Sequence, residues 1–282
     1  MKKVLIVCVN FNTYDYLNAY IKSIDIAAGK VTDVCTVDVA VADNTVNNRQ
    51  KINTTYANIK VEAFPYYKNL GYMGGAVKVL EDMGKESVCK FDFVIVSNVD
   101  ITVKEGFFDS LVKTNTENIG WIAPAIYRVN NNMSNENPFM TSKPSHRKMK
   151  IYIFMYSHPT LYSLYEYFYR YKNKHFGKNH EGQEDEKLEA IHQPIYAGMG
   201  SIFIFTQLFI KACYPLSFPC FMYGEELFFA DAVQKAGLKT MYEPSLVVYD
   251  VGGVSTGKLG MSKKCKMNKE SLKIIENILY TD

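Results

Sequence analysis

The stretch between Phe91 and Thr102 constrains the fold more than any other part of this 282-residue sequence. An apolar run of strand length ends there in Asn98 and Asp100, two polar side chains separated by one residue. Near-continuous apolar runs are typical of strands in a sheet that is covered on both faces. Ligands of open α/β sheets bind beyond the carboxyl ends of such strands. The stretch therefore predicts a buried strand that presents an amide and a carboxylate at one edge of a sheet.

Two interpretations of Asn98 and Asp100 follow from their chemistry. A carboxylate beside an amide suits a hard divalent cation and the phosphates that the cation carries. Asn and Asp also cap turns at the ends of strands, with no ligand involved. The two residues alone leave both interpretations open.

The same order of buried strand, polar loop and helix recurs along the first hundred residues. The predicted elements are strands at 4–9, 37–42 and 59–64 and helices at 14–28 and 76–83. Polar residues follow the first two strands, at Asn10 and Asp43. This repetition predicts an α/β fold with a mostly parallel central sheet flanked by helices.

Composition excludes several classes of protein. The formal net charge of +3, with acidic and basic residues interleaved, gives no indication of a nucleic-acid partner. The six cysteines form no C-x-x-C pair, so we expect reduced thiols rather than a zinc site or a disulfide framework. No apolar run reaches the roughly 18 residues of a membrane-spanning helix. The glycine-rich loops of dehydrogenases and P-loop proteins are also missing, so neither class is expected.

The middle of the chain differs in composition from the rest. Residues 151–171 are crowded with tyrosine and phenylalanine, and the charged residues 181–189 predict a solvated helix. The aromatic stretch could line an acceptor pocket, lie on a membrane surface or cover the sheet as a helix pair. We favour cover of the sheet, because Glu166 and Arg170 are interspersed among the aromatic residues.

Two adjacent carboxylates open a later helix. Gly198 and Gly200 precede a predicted strand at 202–205, and Glu225 and Glu226 precede a predicted helix at 227–235. Carboxylates at a helix N-terminus compensate the helix dipole without any further role. A carboxylate held where a loop passes into a helix could also act as a general base on a hydroxyl nucleophile. Both interpretations remain open.

The last strand also ends on an acidic residue. Asp250 follows a predicted strand at 245–249, and a predicted amphipathic helix at 271–279 closes the chain. The lysine-rich tail between them could fold over a diphosphate as a lid, or simply be solvated.

Six motifs, taken in order and spacing, resemble the family 2 glycosyltransferases of the GT-A fold, and most closely their rhamnosyltransferase-like branch. The motifs lie at residues 9–12, 42–44, 69–75, 97–100, 197–200 and 223–226. The resemblance covers about residues 3–128 and 193–256 and implies one GT-A domain over 1–282. Its implied parts are a nucleotide-sugar-binding half (1–128), an acceptor-side insertion (129–192), an acceptor and catalytic half (193–256) and a basic tail with a helix (257–282).

The resemblance also implies roles for single residues. The residues implied to bind the nucleotide sugar are Asn10, Asn12, Asp43, Asn69, Gly71, Asn98 and Gly198. Asp100 would bind Mg²⁺ or Mn²⁺ bridging the diphosphate, which neutralises charge on the leaving group. Glu226 would be the base that activates the acceptor hydroxyl, with Glu225 in reserve, and the sugar would be transferred with inversion.

The chain departs from the family at two positions. Glu226 stands where the family usually has Asp, and its extra methylene alters the reach of a group whose placement matters to about 1 Å. Asp250 stands where the family usually has His. Because Asp is also a ligand for hard cations, Asp250 is expected to complete the metal site. Alternatively, this position no longer has its metal-binding role, and the protein has weak activity.

The implied function is metal-dependent, inverting transfer of a hexosyl or deoxyhexosyl group from a nucleotide-diphosphate sugar. UDP- or dTDP-sugars are favoured as donors, and the acceptor would be a hydroxyl of a glycan or lipid-linked molecule in polysaccharide biosynthesis. The alternative is a non-catalytic nucleotide-sugar or glycan-binding protein that retains the GT-A fold. The expected location is the cytoplasm or the inner face of the membrane, with peripheral contact but no transmembrane segment.

Overall fold

The computed structural model describes residues 1–131, 133–176, 191–253 and 259–281, without the side chains of residues 169–176. The charged helix predicted at 181–189 and Lys258 of the basic tail lie outside the described residues. Within them the strands are β1 (Lys2–Asn10), β2 (Cys35–Asp43), β3 (Lys60–Pro65), β4 (Phe93–Asn98), β5 (Ile101–Val103), β6 (Ile119–Arg128), β7 (Ser134–Asn135), β8 (Gln193–Ile195), β9 (Ile202–Thr206) and β10 (Lys239–Asp250). The helices are α1 (Tyr14–Ala28), α2 (Tyr72–Met83), α3 (Lys85–Val88), α4 (Phe107–Lys113), α5 (His146–Ser157), α6 (Pro159–Phe176), α7 (Gln207–Cys213), α8 (Glu225–Lys235) and α9 (Met261–Tyr280).

The strands form one large mixed sheet. Its order is β3-β2-β1-β4-β9-β6-β10-β5, with β7 paired to β6 and β8 paired to β10. Strands β3, β2, β1 and β4 are parallel to one another, and β6 is parallel to β10. Strands β9 and β5 run against their neighbours. The predicted α/β fold with a mostly parallel, helix-flanked sheet is confirmed.

The register brings polar strand ends to one edge of the sheet. Asn10 pairs with Asp43, and the neighbouring Val9 pairs with Asn98. Strand β10 points the same way as β1 and β4 and ends at Asp250, opposite Ile101 of β5. The carboxyl ends of β1, β2, β4 and β10 therefore lie along the same edge, as expected for a ligand site of an α/β sheet.

The core lies on both faces of this sheet. One cluster packs α1 and α4 against the sheet, and the other packs α2, α8 and α9 against the opposite face. The only tryptophan, Trp121, is fully buried in β6, with its ring centroid 4.9 Å from that of Phe203 in β9. Large aromatic side chains contribute much of the apolar area that stabilises such a core.

Helix boundaries follow the predictions with three extensions. The predicted helix at 14–28 is α1, whereas α2 begins four residues before the predicted start, at Tyr72. Helix α8 begins at Glu225, so both adjacent carboxylates lie in its first turn. Helix α9 begins at Met261 and includes much of the lysine-rich segment that sequence patterning assigned to a tail.

The aromatic segment forms α5 and most of α6. Met149 and Ile153 of α5 are buried in the cluster that contains α9, and α5 packs mainly against α9. The described apolar side chains of α6 do not follow this pattern, because most of them are exposed. Cover of the sheet by this segment stays a prediction. No helix among the described residues has the length and apolar character needed to cross a membrane.

Candidate active site

The ends of β1 and β2 are joined by the side chain of Asn10. Its amide nitrogen donates to Oδ1 of Asp43 at 3.1 Å, and both residues are fully buried. The amide oxygen of Asn10 accepts from the backbone N–H of Thr13 at 3.2 Å and from the Thr13 hydroxyl at 2.9 Å. Asn10 therefore positions Asp43 and the start of α1 at the same time.

Asp43 is held by an arginine that sequence analysis did not single out. Arg49 donates from Nε at 3.2 Å and from Nη2 at 2.8 Å to Oδ2 of Asp43, which also accepts from the Tyr14 hydroxyl at 3.0 Å. Burial alone would raise the pKa of Asp43, but hydrogen bonds from Arg49, Thr45 and Tyr14 outweigh it and lower that pKa. No sequence motif marks Arg49, because it reaches Asp43 from an irregular segment.

A shallow cavity of about 480 Å³ opens beside Asp43. Arg49, Pro65 and Tyr67 line it, and the Arg49 guanidinium lies 4.1 Å from the centroid of the Tyr67 ring. A carboxylate, a cation and an aromatic ring at one cavity suit a flat polar ligand. A larger cavity, of about 750 Å³, lies at the opposite edge of the sheet and is lined by Lys3 and Lys60 near the starts of β1 and β3, away from these residues.

Asn12 and Asn44 tie neighbouring loops together. The backbone N–H of Asn12 donates to the Thr45 hydroxyl at 3.0 Å, and the Asn12 side chain is exposed. Asn44 is buried, and its amide nitrogen donates to the Gly71 carbonyl at 2.8 Å. The amide oxygen of Asn44 has no hydrogen-bond partner among the described residues, so it can accept from a ligand at this edge.

Gly71 marks a close approach of two loops. Its φ is +78°, and a Cβ at this position would overlap the carbonyl oxygen of Phe221. The Asn69 side chain accepts from the Gly71 N–H at 3.0 Å and so stabilises this turn. The next residue, Tyr72, begins α2 and donates to the Val96 carbonyl at 3.2 Å. The positive end of α2 is thereby fixed beside the carboxyl end of β4.

The backbone segments that carry Asp100 and Asp250 are neighbours where β4 passes into β5. The backbone N–H of Val251 donates to the Asp100 carbonyl at 3.0 Å, and the backbone N–H of Asn98 donates to the Ser201 carbonyl at 2.9 Å. Oδ2 of the buried Asp250 accepts from the Ser201 hydroxyl at 2.8 Å. Oδ1 of Asp250 is buried and has no hydrogen-bond partner within the described ranges. A buried carboxylate oxygen that accepts no hydrogen bond is suited to binding a cation.

Arg128 is a second cation that sequence analysis missed. Its Nη2 lies 3.8 Å from Oδ2 of Asp250, and its Nε lies 3.4 Å from Oε1 of Glu136. The guanidinium packs so closely on Gly252 that a Cβ there would overlap it. Arg128 therefore offsets part of the negative charge that Asp250 brings to this edge.

Glu225 and Glu226 lie at a strained corner before α8. Tyr223 and Gly224 have φ values of +71° and +86°, and a non-glycine residue in this region is uncommon. Burial and the neighbouring Glu226 raise the pKa of Glu225, whose Oε1 accepts from the Tyr223 N–H at 3.0 Å. Burial also raises the pKa of Glu226, and a hydrogen bond from the Gly200 backbone opposes this in part. The pair therefore binds protons more tightly than exposed carboxylates.

Gly198 lies in the same loop as Gly200 but serves packing. A Cβ on Gly198 would lie 2.5 Å from the Cβ of Ala123 and 3.2 Å from the Trp121 ring. Its missing side chain lets the loop approach β6, and the residue is buried.

The structure arranges the predicted residues in two neighbouring groups. Asn10, Asn12, Asp43, Asn69 and Gly71 form the first group, at the ends of β1 and β2 and the start of α2. Asn98, Asp100, Asp250 and Glu226 form the second, which the segment from Gly200 to Ser201 connects. Tyr72 lies between the two groups, because it follows Gly71 and its hydroxyl lies 3.2 Å from the Val96 carbonyl and 3.5 Å from the Ser201 carbonyl.

No cluster of three or more His, Cys, Asp or Glu residues suited to a metal is present in the described part of the chain. A cation bound by Asp100 and Asp250 would therefore need further oxygen ligands from elsewhere. Mg²⁺ sites commonly combine one or two carboxylates with substrate phosphates and water.

Comparisons by sequence and by structure give different results. No protein-family model matches the sequence, and no curated protein is similar to it in sequence. The structure of GalNAc-T7 with UDP, GalNAc and Mn²⁺ has a TM-score of 0.53 at 13% identity, over 93% of this chain and 47% of that chain. Residues 1–349 of S. aureus TarS with UDP-GlcNAc give a TM-score of 0.50 at 11% identity, over 92% of this chain and 62% of that chain.

The chain thus spans about half of the GalNAc-T7 chain that it matches. Identities this low show the fold alone, and that fold is GT-A, as the six sequence motifs predicted.

Proposed function

We propose that this protein is a metal-dependent, inverting family 2 glycosyltransferase of the rhamnosyltransferase-like branch. It moves a hexosyl or deoxyhexosyl group from a UDP- or dTDP-sugar to a hydroxyl of a glycan or lipid-linked acceptor in polysaccharide biosynthesis. One observation carries the proposal: on a GT-A sheet, the backbones of Asp100 and Val251 are hydrogen-bonded at the edge where Ser201 binds Asp250 and the adjacent Gly200 packs on Glu226 at the start of α8. A site with two metal-type carboxylates and two proton-binding carboxylates matches the needs of sugar transfer from a diphosphate.

The donor would lie along the first group of residues. The nucleoside would occupy the cavity of Arg49 and Tyr67 beside Asp43, and the diphosphate would lie toward the N-terminus of α2 at Gly71. The amide oxygen of Asn44, which has no hydrogen-bond partner among the described residues, is a further hydrogen-bond acceptor at this edge. The UDP bound to GalNAc-T7 and the UDP-GlcNAc bound to TarS support a uridine nucleotide.

Asp100 and Asp250 fit a divalent cation. Oδ1 of Asp250 is buried without a protein partner in the described residues, which suits an Mg²⁺ or Mn²⁺ ion completed by diphosphate oxygens and water. When bound, the ion neutralises charge that develops on the departing nucleoside diphosphate. Arg128 supports this arrangement, since its charge keeps Asp250 from making the edge too negative for a diphosphate. The Mn²⁺ in the GalNAc-T7 structure is consistent with this use.

Glu226 would remove the proton from the acceptor hydroxyl. Its raised pKa makes it a stronger base than an exposed carboxylate, and the Gly200 backbone holds its orientation. The deprotonated oxygen would attack the anomeric carbon from the side opposite the diphosphate, so that the C–O bond to the donor breaks with inversion. Glu225 is turned toward the backbone N–H of Tyr223 and remains the reserve candidate.

Donor binding tests the first half of the proposal. UDP, dTDP and their sugars, each with Mn²⁺, should raise the melting temperature of the protein, and Asp100→Ala should abolish the shift. Asp15→Ala on the exposed side of α1 is the matched control and should keep it. If no member of a full panel of UDP-, dTDP- and GDP-sugars shifts the melting temperature with Mg²⁺ or Mn²⁺, the proposal is wrong.

A non-catalytic nucleotide-sugar-binding protein is the second candidate. Two observations support it. Asp43 already accepts hydrogen bonds from Arg49 and Tyr14. Glu226 and Asp250 also stand where the family usually has Asp and His. Turnover separates the two functions. Slow metal-dependent donor hydrolysis that disappears in Glu226→Gln supports the enzyme, whereas tight donor binding without turnover on a library of glycan acceptors supports the binding protein.

A further inference from the structure

Helix α6 turns an apolar stripe toward solvent. Leu161, Leu164, Tyr165 and Phe168 are spaced at i, i+3, i+4 and i+7, which places them on one side of the helix. Their side chains are 43–58% exposed. A surface helix of a globular protein normally directs such a stripe at the core. Among the α6 side chains that the structure describes, the half-buried ones are instead Pro159, Tyr162 and Glu166, on another side of the helix.

The neighbouring helix α5 also exposes large apolar side chains. Ile151 is 49% exposed and Phe154 is 57% exposed, while Met149 and Ile153 of the same helix are buried. Residues 151–168 contain seven of the twenty large apolar side chains that are exposed in the described structure. We call this surface, formed by Ile151, Phe154, Leu161, Leu164, Tyr165, Tyr167 and Phe168, the aromatic face. Single exposed apolar residues are common on protein surfaces, but a concentration of them usually marks an interaction site.

The same part of the chain, extended to residues 143–176, has a higher net positive charge than the whole chain. Between Lys143 and Phe176 the sequence has seven Lys or Arg residues and one acidic residue, Glu166, which gives +6 against +3 for the whole chain. Arg147, Lys148 and Lys150 at the start of α5 are exposed. The aromatic face is therefore bordered by cations.

We infer that the aromatic face docks on an anionic lipid bilayer. Amphipathic helices with aromatic and aliphatic residues on one side and Lys or Arg beside them lie in the headgroup region. Each Lys or Arg near an anionic surface increases the affinity about fivefold. A second copy of this chain is a poorer partner, because two such segments would bring +6 against +6. Charge complementarity therefore selects the bilayer.

Helix α5, which carries part of the aromatic face, is linked to the candidate active site through α9. Helix α5 packs against α9, and Ile275 of α9 lies so close to Gly224 that a Cβ at that glycine would overlap it. A bilayer that contacts α5 and α6 would bring a lipid-linked acceptor to Glu225 and Glu226. This last step rests on the proposed function, whereas the docking itself does not.

Vesicle sedimentation tests the inference without donor or metal. Full-length protein should sediment with vesicles of phosphatidylcholine and phosphatidylglycerol, bind weakly to phosphatidylcholine alone, and be released by about 0.5 M NaCl, which screens surface charges. Phe168→Trp offers a second readout, since Trp121 is fully buried and the new indole should shift its emission to the blue on binding.

Two double variants and two matched controls complete the test. Lys148→Glu with Lys150→Glu should weaken binding at least about 25-fold, and Leu164→Ser with Phe168→Ser at least about tenfold. Ile26→Ser with Leu208→Ser, and Lys22→Glu with Lys104→Glu, change exposed residues elsewhere and should bind like the wild type.

Failure of the wild type to bind anionic vesicles, or unchanged binding by both double variants, would overturn the inference. A dimer that Leu164→Ser with Phe168→Ser dissociates, in the absence of vesicle binding, would assign the face to self-association and overturn it as well. Because donor-induced thermal shifts need no lipid, these outcomes are separate from failure of the proposed function.

Discussion

The Glu226 carboxylate lies directly over Gly200. A Cβ on Gly200 would lie 2.5 Å from Oε1 of Glu226 and 3.0 Å from its carboxyl carbon. The backbone φ of Gly200 lies outside the left-handed region, so the position requires glycine for space rather than for conformation. The loop before β9 therefore decides where the candidate base points.

Gly200→Ala should reduce turnover while leaving donor binding nearly intact. The new methyl group displaces Glu226, and misplacement of a reacting group by about 1 Å costs on the order of 100-fold in rate. The measurements are the initial rate of sugar transfer or donor hydrolysis and the thermal shift with donor and Mn²⁺. Gly106→Ala, where a Cβ meets nothing within 4 Å, is the control and should match the wild type in both. Wild-type turnover in Gly200→Ala would show that Glu226 does not need this orientation.

Local sequence patterns predicted the sheet edge well. The strands at 4–9 and 37–42 are parts of β1 and β2, and each ends at the polar residue that its apolar run predicted. Buried strands require long apolar runs, and their register then carries the residues that follow them to one edge. The order of the strands brought Asp43, Asn98 and Asp250 to that edge, as a mostly parallel sheet requires.

The cations of the site could not be predicted in this way. Arg49 meets Asp43 from an irregular segment, and Arg128 meets Gly252 and Asp250 from a strand more than a hundred residues earlier. Contacts of this kind depend on tertiary packing and produce no periodic pattern in the amino-acid sequence. The start of α9 was missed for a related reason: its first turns are rich in lysine and bury only Cys265, so they carry a weak apolar pattern.

Arg49→Met should make the fold less stable at neutral pH and more sensitive to acid. The two hydrogen bonds of Arg49 to a fully buried carboxylate are worth about 2–3 kcal/mol together. The lowered pKa of Asp43 contributes stability above the pKa of an unfolded Asp, and this stability is lost as the pH falls through the folded value. Without Arg49, burial raises the pKa of Asp43, so unfolding on acidification should begin at higher pH.

Urea unfolding from about pH 7 to pH 3 measures this effect. Arg147→Met, which removes an exposed arginine of α5, is the control and should follow the wild-type curve. Parallel stability curves for Arg49→Met and the wild type would contradict the assigned pairing.

Arg128→Met should destabilise the protein through Asp250 and Glu136. It leaves two carboxylates without their neighbouring cation, at a cost of about 2 kcal/mol for a largely buried pair. Asp250→Asn removes one of these charges, so the double variant should lose less stability than the sum of the single variants. Urea unfolding of the four proteins in a chelator gives the coupling energy. Strict additivity would indicate that the guanidinium and Asp250 do not interact.

Glu225→Gln should make the protein more stable, and increasingly so as the pH rises. Burial and Glu226 raise the folded pKa of Glu225, so its proton contributes stability that is complete below the unfolded pKa and lost as the pH rises through the folded value. Gln cannot ionise and can still accept from the Tyr223 N–H, so the variant avoids the loss. The gain in unfolding free energy should grow from near zero at about pH 4 to at least about 1 kcal/mol at about pH 8. Glu86→Gln on exposed α3 should show no such trend. A constant or negative difference across this range would mean that the Glu225 carboxylate is not held in its protonated form, and would make Glu225 rather than Glu226 the better candidate for an ionised base at neutral pH.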